Sequence, residues 1–191
     1  MLQPLPPISR PDLGQRSRPF PILDRAFDAV ERALAKLGVE DPASLRSPRP
    51  VEDALSPTAL PAGTLLILSP AELRAAEVDV EETVKDERSG GAVFVSLPDQ
   101  GNLDARKRSL RELAVSTPTY CLTPTGSLPA GYSRLHAVEV PAGYAEYGIL
   151  VADTPGFRVA VLRRALPSGG FIALWTGNEQ IINELYNLRF Q

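Results

Sequence analysis

A strand–helix–strand unit at residues 64–97 constrains the fold more than any other feature of the sequence. Thr64–Leu68 is a continuous apolar run, which is typical of a strand buried on both faces. The sequence Ser-Pro-Ala-Glu at 69–72 follows at once and predicts a capping box, with serine at the N-cap and proline at the first helical position. A second apolar run, Ala92–Leu97, follows the helix. We therefore expect two parallel strands joined by a right-handed crossover.

The strand–helix pattern repeats once after this unit. Pro98–Gly101 indicates a turn, Asn102 is expected to cap a third helix, and Pro118–Leu122 is predicted to be a strand. Later runs lie on short connections, which is typical of antiparallel hairpins. These runs are Leu135–Val140, Glu146–Ala152, Phe157–Arg163 and Gly170–Trp175, with a tight turn at 153–156 between two of them.

A second capping box, at 176–179, is expected to start a final helix with Ile181, Ile182, Leu185 and Leu188 inward. The predicted fold class is α/β with an α+β tendency: a mixed sheet, βαβαβ in its first half and antiparallel afterwards, with a C-terminal helix and an N-terminal helical arm.

The first 61 residues are predicted to precede the compact domain, which spans 62–191. Residues 1–20 hold five prolines and indicate a disordered tail; a polyproline II ligand for a partner domain is the alternative. Residues 21–61 hold a helix over 21–37, followed by Gly38 at the C′ position, and a proline-rich linker. The apolar stripe of this helix either docks on the main domain or forms a homodimer. It consists of Leu23, Phe27, Val30, Leu34 and Leu37.

Composition excludes several classes of protein. The single cysteine rules out a disulfide-built secreted scaffold, and we expect no signal peptide and no membrane-spanning segment. The net charge of −3 argues against nucleic-acid binding, which needs a surplus of positive charge on one face. A cytoplasmic location, with neither membrane nor nucleic acid as partner, is the resulting expectation.

Catalytic and cofactor motifs are missing from the expected places. The turn after the first strand has no glycine and no lysine, which is strong evidence against a Gly-rich phosphate-binding loop of a Walker-type ATPase. One histidine, His136, and one cysteine, Cys121, are too few for a zinc site, and we expect both to be structural. We therefore predict no enzyme activity, no catalytic residues, no metal and no cofactor.

Two features are candidates for binding. The basic cluster at 106–108 with Arg111 forms either a patch for an acidic partner or an ordinary solvated helix face. Trp175, the only tryptophan, ends a strand immediately before a helix, where ligands of open α/β sheets gather. Sealing the edge of the core is the alternative role for this side chain.

The C-terminal half resembles the DICT sensory domain, which is named for its occurrence with diguanylate cyclases and two-component systems in bacteria. The resemblance lies in the sequences Ala-Glu-Tyr-Gly-Ile-Leu-Val at 145–151, Phe-Arg-Val-Ala-Val-Leu-Arg-Arg at 157–164, and Ala-Leu-Trp-Thr at 173–176 followed by the last helix. It extends from about Thr64 to the end of the chain. These stretches hold the residues that we expect to bind a ligand: Tyr147, Arg163, Trp175 and Thr176.

The resemblance implies a sensory or regulatory module in bacterial signal transduction, including cyclic di-GMP signalling. No output domain is expected after Gln191, so such a module would act in trans on a diguanylate cyclase or a histidine kinase, or by forming oligomers. The alternative is a protein–protein interaction or dimerisation module that has no small-molecule ligand. Its predicted contact surface is the helix over 21–37.

Overall fold

The computed structural model describes residues 21–36, 38–39, 44, 49–50, 65–87, 90–98, 100–141, 144–166 and 170–190. Within them, a mixed sheet of eight strands carries helices on both faces, which confirms the predicted α/β class. The helices are α1 (Pro21–Lys36), α2 (Pro70–Glu87), α3 (Gln100–Ser116) and α4 (Glu179–Tyr186). The strands are β1 (Arg49–Pro50), β2 (Leu65–Leu68), β3 (Ala92–Ser96), β4 (Thr119–Thr123), β5 (Leu135–Glu139), β6 (Tyr147–Asp153), β7 (Arg158–Ala165) and β8 (Phe171–Thr176).

Three strands of the sheet lie between the two strands of the predicted strand–helix–strand unit. Its order is β1-β2-β8-β7-β6-β3-β4-β5, so β8, β7 and β6 separate β2 from β3. Every neighbouring pair from β2 to β3 is antiparallel, and four such pairs give β2 and β3 the same direction. The parallel direction is therefore confirmed, whereas the handedness of the crossover stays a prediction.

One strand direction was predicted wrongly. β5 was expected to be part of an antiparallel hairpin, but it pairs with β4 in parallel, with Cys121 opposite Ala137. The connection over 124–134 is long enough to return the chain to the start of β4, and Leu135 lies opposite Thr119. The antiparallel part of the sheet is confirmed for β6, β7 and β8, where Thr154 and Phe157 exchange backbone hydrogen bonds of 3.0 and 3.3 Å across the predicted turn.

Helix ends follow their local sequence at two of the four predicted places. Ser69 and Glu72 form the capping box: each backbone N–H donates to the other's side chain, at 2.8 and 3.3 Å. Gly38 has a φ of 66°, and the bonds from its N–H and from that of Val39 to the last turn of α1 form a Schellman motif.

Two other predicted caps were wrong. Asn178, not Thr176, caps α4, because its side chain accepts from the N–H groups of Gln180 and Ile181. Asn102 lies inside α3, which begins two residues earlier at Gln100. Asn178, a second possible capping residue, lies two positions after Thr176, and a predicted turn directly precedes Asn102. Sequence spacing alone does not show at which of these positions the helix begins.

The two faces of the sheet carry different pairs of helices. α2 and α3 cover one face through Leu73, Val80, Val84, Leu103, Leu110 and Leu113. α1 and α4 cover the other face, where Ile181, Ile182, Leu185 and Leu188 point inward as predicted. Consecutive side chains on a strand alternate between these two layers, since the side-chain period of a strand is two.

α1 docks on the sheet of its own chain. Leu23, Phe27, Val30 and Leu34 are all at most 4% exposed and belong to the same core as the strands. The structure therefore shows the docking alternative, whereas homodimer formation stays a prediction. The predicted boundary near residue 62, the tail over 1–20, Leu37 and most of the linker lie outside the described residues.

Candidate ligand-binding cleft

A cleft of about 190 Å³ opens at one edge of the sheet. β3 and β7 end there, and their antiparallel neighbours β6 and β8 begin there, since Val95 pairs with Leu150 and Ala165 with Phe171. This edge is the carboxyl end of the parallel strands, where ligands of open α/β sheets bind. The cleft, called the Arg163 cleft below, is lined by Pro98, Glu146, Tyr147, Gly148, Arg163, Ala165, Gly170 and Phe171.

Arg163 lies in this cleft because residue 148 has no side chain. The two residues are directly opposite each other in the β6–β7 ladder. A β-carbon added to Gly148 would lie 2.1 Å from Nε and 2.3 Å from Cγ of Arg163. The arginine side chain therefore runs across the neighbouring strand, in space that every other residue type at 148 would fill.

Arg163 also has no partner for its charge. Within the described part of the chain, its guanidinium makes no ion pair and no hydrogen bond, although the residue is only partly exposed. A guanidinium has five donors in a planar fork that matches carboxylate and phosphate oxygens. An unpaired arginine in a small cleft is thus a ready receptor for an anionic group.

Tyr147 lines the same cleft, but its hydroxyl is engaged on the opposite face. That hydroxyl donates to the carboxylate of Asp24 on α1. Burial, and then the neighbouring Asp24, raise the pKa of Tyr147 well above its ordinary value. Tyr147 therefore remains a neutral phenol, and its contribution to the cleft is shape rather than charge.

Trp175 and Thr176 lie away from the Arg163 cleft, at the far end of β8. Trp175 is opposite Val161, two positions before Arg163 in β7, and packs partly buried against the α2/α3 layer. Thr176 is fully buried, and its Oγ1 accepts the N–H of Asn178 at 3.0 Å. The structure thus brings Tyr147 and Arg163 together, and separates both from Trp175 and Thr176.

Gly148 and Glu146, which shape and charge the cleft, were not among the predicted ligand-binding residues. Gly148 was recognised only as part of an apolar strand, and Glu146 was placed in that strand rather than at its entrance. The signal that would have found Gly148 is the register of the hairpin. Counting outwards from the turn at 154–157 places this glycine opposite Arg163.

A second cleft, of about 290 Å³, lies beside α3 at the ends of β3 and β4. Its walls are mainly apolar, and it shares Pro98 with the Arg163 cleft. Thr123 lines it and is 5% exposed, while its Oγ1 has no hydrogen-bond partner. No charged side chain lines this cleft among the described residues.

The basic cluster on α3 is largely neutralised by its own chain. Arg106 pairs with Glu81, and Arg108 pairs with Glu112 at 2.9 Å. Lys107 and Arg111 lie over the ring of Tyr132, at 5.8 and 5.3 Å from its centroid. These contacts favour the solvated helix face over a patch for an acidic partner.

Cys121 and His136, the single cysteine and the single histidine, both contact their own chain. Cys121 is fully buried, and burial raises the pKa of its thiol to about 12, which keeps it protonated and unreactive. The ring of His136 stacks on Tyr120 at 5.1 Å between centroids.

Across the described ranges, no three acidic, histidine or cysteine side chains are grouped so as to hold a metal ion. No helix in those ranges has the length and apolar character needed to cross a membrane.

Comparison of the chain with protein-family models, with curated proteins and with solved structures finds no match in any of the three.

Proposed function

We propose that this protein is a non-enzymatic sensory or regulatory module which binds a small molecule with an anionic group in the Arg163 cleft. The observation that carries the proposal is the unpaired guanidinium of Arg163, held across Gly148 in a cleft at the carboxyl edge of the sheet. Natural structures seldom leave a partly buried charge without a partner, because desolvation is costly. A ligand carboxylate or phosphate would supply that partner.

The resemblance of residues 145–176 to the DICT sensory domain supports the regulatory half of the proposal. It suggests a cytoplasmic module that acts in trans on a diguanylate cyclase or a histidine kinase, with ligand binding as the input signal. A cyclase or kinase gene beside the gene of this protein would provide the partner for a direct activity assay. An activity that is independent of this protein, with and without ligand, would count against the regulatory half.

The binding half is tested by titrating the full chain with propionate, followed by amide chemical shifts in NMR. We expect saturable shifts at Gly148, Arg163 and Phe171 in the wild type and their loss in Arg163→Gln. Arg108→Gln is the matched control, because the side chain of Arg108 is 93% exposed on α3 and lies outside the cleft. Equal shifts in wild type and Arg163→Gln would show that the guanidinium is not the receptor.

The second candidate is an interaction or dimerisation module without a small-molecule ligand. It ranks lower because the apolar residues predicted to form its contact surface pack inside the chain, with Phe27 and Val30 both 0% exposed. Light scattering of the full chain over a range of protein concentrations tests this candidate. A stable dimer that binds neither propionate nor another small anion would favour it, and a monomer at every concentration would contradict it.

A further inference from the structure

Two side chains of opposite charge line the Arg163 cleft without neutralising each other. Glu146, in the short 3-10 turn before β6, is exposed at the cleft. No ion pair links it to Arg163, and neither residue has another charged partner within the described residues. One cationic and one anionic side chain therefore line the cleft without forming an ion pair with each other.

This charge arrangement selects among anions. A phosphate dianion at Arg163 would be repelled by the carboxylate of Glu146, since like charges in one small site disfavour each other. A ligand that is anionic at one end and cationic at the other satisfies both side chains. Its carboxylate accepts the guanidinium N–H groups of Arg163, and its ammonium donates to the carboxylate of Glu146.

The size and the remaining walls of the cleft further narrow the class of ligand that fits it. Its volume of about 190 Å³ lies below the range of roughly 300–1,000 Å³ that is typical of sites for drug-sized ligands. Phe171, Ala165 and Pro98 give it apolar walls. A compact ligand with one short apolar group fits these walls.

We propose that the ligand of the Arg163 cleft is a zwitterion, namely an α-amino acid with an apolar side chain. This inference rests on the proposed function, because it identifies the molecule bound at that same cleft. Arg163 binds the carboxylate, Glu146 binds the ammonium, and Phe171 packs against the side chain.

The test is calorimetric titration of the full chain with six amino acids: alanine, valine, leucine, isoleucine, methionine and phenylalanine. The amino acid that binds best is then compared with its N-acetyl derivative, which lacks the ammonium, and with its amide, which lacks the carboxylate. We expect both derivatives to bind at least about fivefold more weakly, a loss in the range of a partly exposed ion pair.

Variants assign each loss to one side chain. Glu146→Gln should weaken amino-acid binding about fivefold and leave binding of the N-acetyl derivative unchanged or stronger, while Arg163→Gln should abolish binding of both. Glu139→Gln is the matched control, because Glu139 is an exposed acidic residue on β5, outside the cleft. Gly148→Ala gives a second way to remove the guanidinium if Arg163→Gln does not fold.

The outcomes separate this inference from the function on which it rests. If propionate binds through Arg163 but none of the six amino acids binds, or if the N-acetyl derivative binds as tightly as its parent, the zwitterion is overturned and the anion-binding cleft stands. If neither propionate nor any amino acid binds, both proposals are wrong. An amino acid that binds equally well to Glu146→Gln also overturns the inference.

Discussion

Arg163 and Arg164 are neighbours in β7, yet they lie on opposite faces of the sheet in opposite surroundings. Arg164 points towards α1, where its guanidinium lies among Asp24, Asp28 and Glu31 and 5.0 Å from the ring centroid of Phe27. Arg163 points towards the cleft and has no charged partner within the described residues. The alternation of a strand thus gives two identical side chains different surroundings, with acidic partners on one face and an open cleft on the other.

The first prediction concerns Arg164, which we expect to hold α1 in place. Its side chain is 12% exposed and that of Asp24 is 5% exposed, so Arg164→Gln would leave a buried carboxylate without its cation. Breaking a buried pair in this way costs about 3–5 kcal/mol. Urea unfolding at pH 7 should show a loss of at least about 3 kcal/mol in the free energy of unfolding.

Arg158→Gln is the matched control for this experiment. Arg158 pairs with Asp153 at 2.7 Å, but its side chain is 36% exposed, so we expect a loss below about 1 kcal/mol. Similar losses in the two variants would show that the contacts of Arg164 stabilise the protein no more than a surface pair does.

The second prediction concerns Gly148→Ala. The backbone of Gly148 is not in the left-handed region, so alanine is tolerated there, but its β-carbon would collide with Nε, Cγ and Cδ of Arg163. Because these atoms belong to a flexible side chain, the arginine should move out of the cleft at a cost below about 1 kcal/mol in stability. We expect binding of propionate to be lost as in Arg163→Gln, measured by the same amide shifts.

Gly177→Ala serves as the glycine control, since a β-carbon there would meet only the backbone oxygen of Arg158, at 3.7 Å. It should retain binding. If Gly148→Ala binds propionate as the wild type does, the position of Arg163 over Gly148 is not what creates the receptor.

Those parts of the fold that local interactions determine, namely some helix ends, apolar helix faces and buried strands, were predictable from the sequence. The capping box at Ser69, the stripe of α1 and the fully buried strand β3 all followed from residue spacing. Strand order did not follow, because β2 and β3 look like an adjacent pair along the chain. Their separation depends on β8 pairing with Leu65–Leu68, a contact between segments more than a hundred residues apart.

The candidate site was predictable only in part, and for a related reason. Tyr147 and Arg163 were selected through a resemblance, and the hairpin register places both at the cleft. Trp175 was selected because a strand end precedes a helix, but its side chain packs under α2 while α4 lies on the opposite face. Alternation along a strand shows which residues share a face, but the helices that cover each face are determined by tertiary contacts.

The third prediction is a pH dependence from Glu184 on α4. Burial raises the pKa of this carboxyl above its ordinary value of 4.5, against a smaller opposing effect of the N–H of Ile22. The folded chain therefore holds this proton more tightly than the unfolded chain does. The ionised group costs stability at pH 7, and this cost disappears as the pH falls through the folded pKa towards the unfolded one.

Glu184→Gln should consequently raise the free energy of unfolding at pH 7, by less than about 1 kcal/mol because the group is partly exposed to solvent. The gain should vanish near pH 4, in urea titrations at both pH values. Glu179→Gln is the control on the same helix: its side chain is 80% exposed, and it should give no such gain. A gain of equal size at both pH values would mean that ionisation of Glu184 is not its cause.

The last prediction compares two threonines of β4. Thr119 is fully buried, and its Oγ1 donates to the backbone oxygen of Thr117 at 3.0 Å, whereas Oγ1 of Thr123 is buried without a partner. A hydrogen bond contributes about 1 kcal/mol to stability, while a buried hydroxyl without one costs about 1–3 kcal/mol.

Valine has nearly the shape of threonine and removes only the hydroxyl. Urea unfolding should therefore show a loss of about 1 kcal/mol for Thr119→Val and no loss, or a gain, for Thr123→Val. Equal losses in the two variants would mean that the hydroxyl of Thr123 is satisfied in solution, for example by a water molecule in the second cleft.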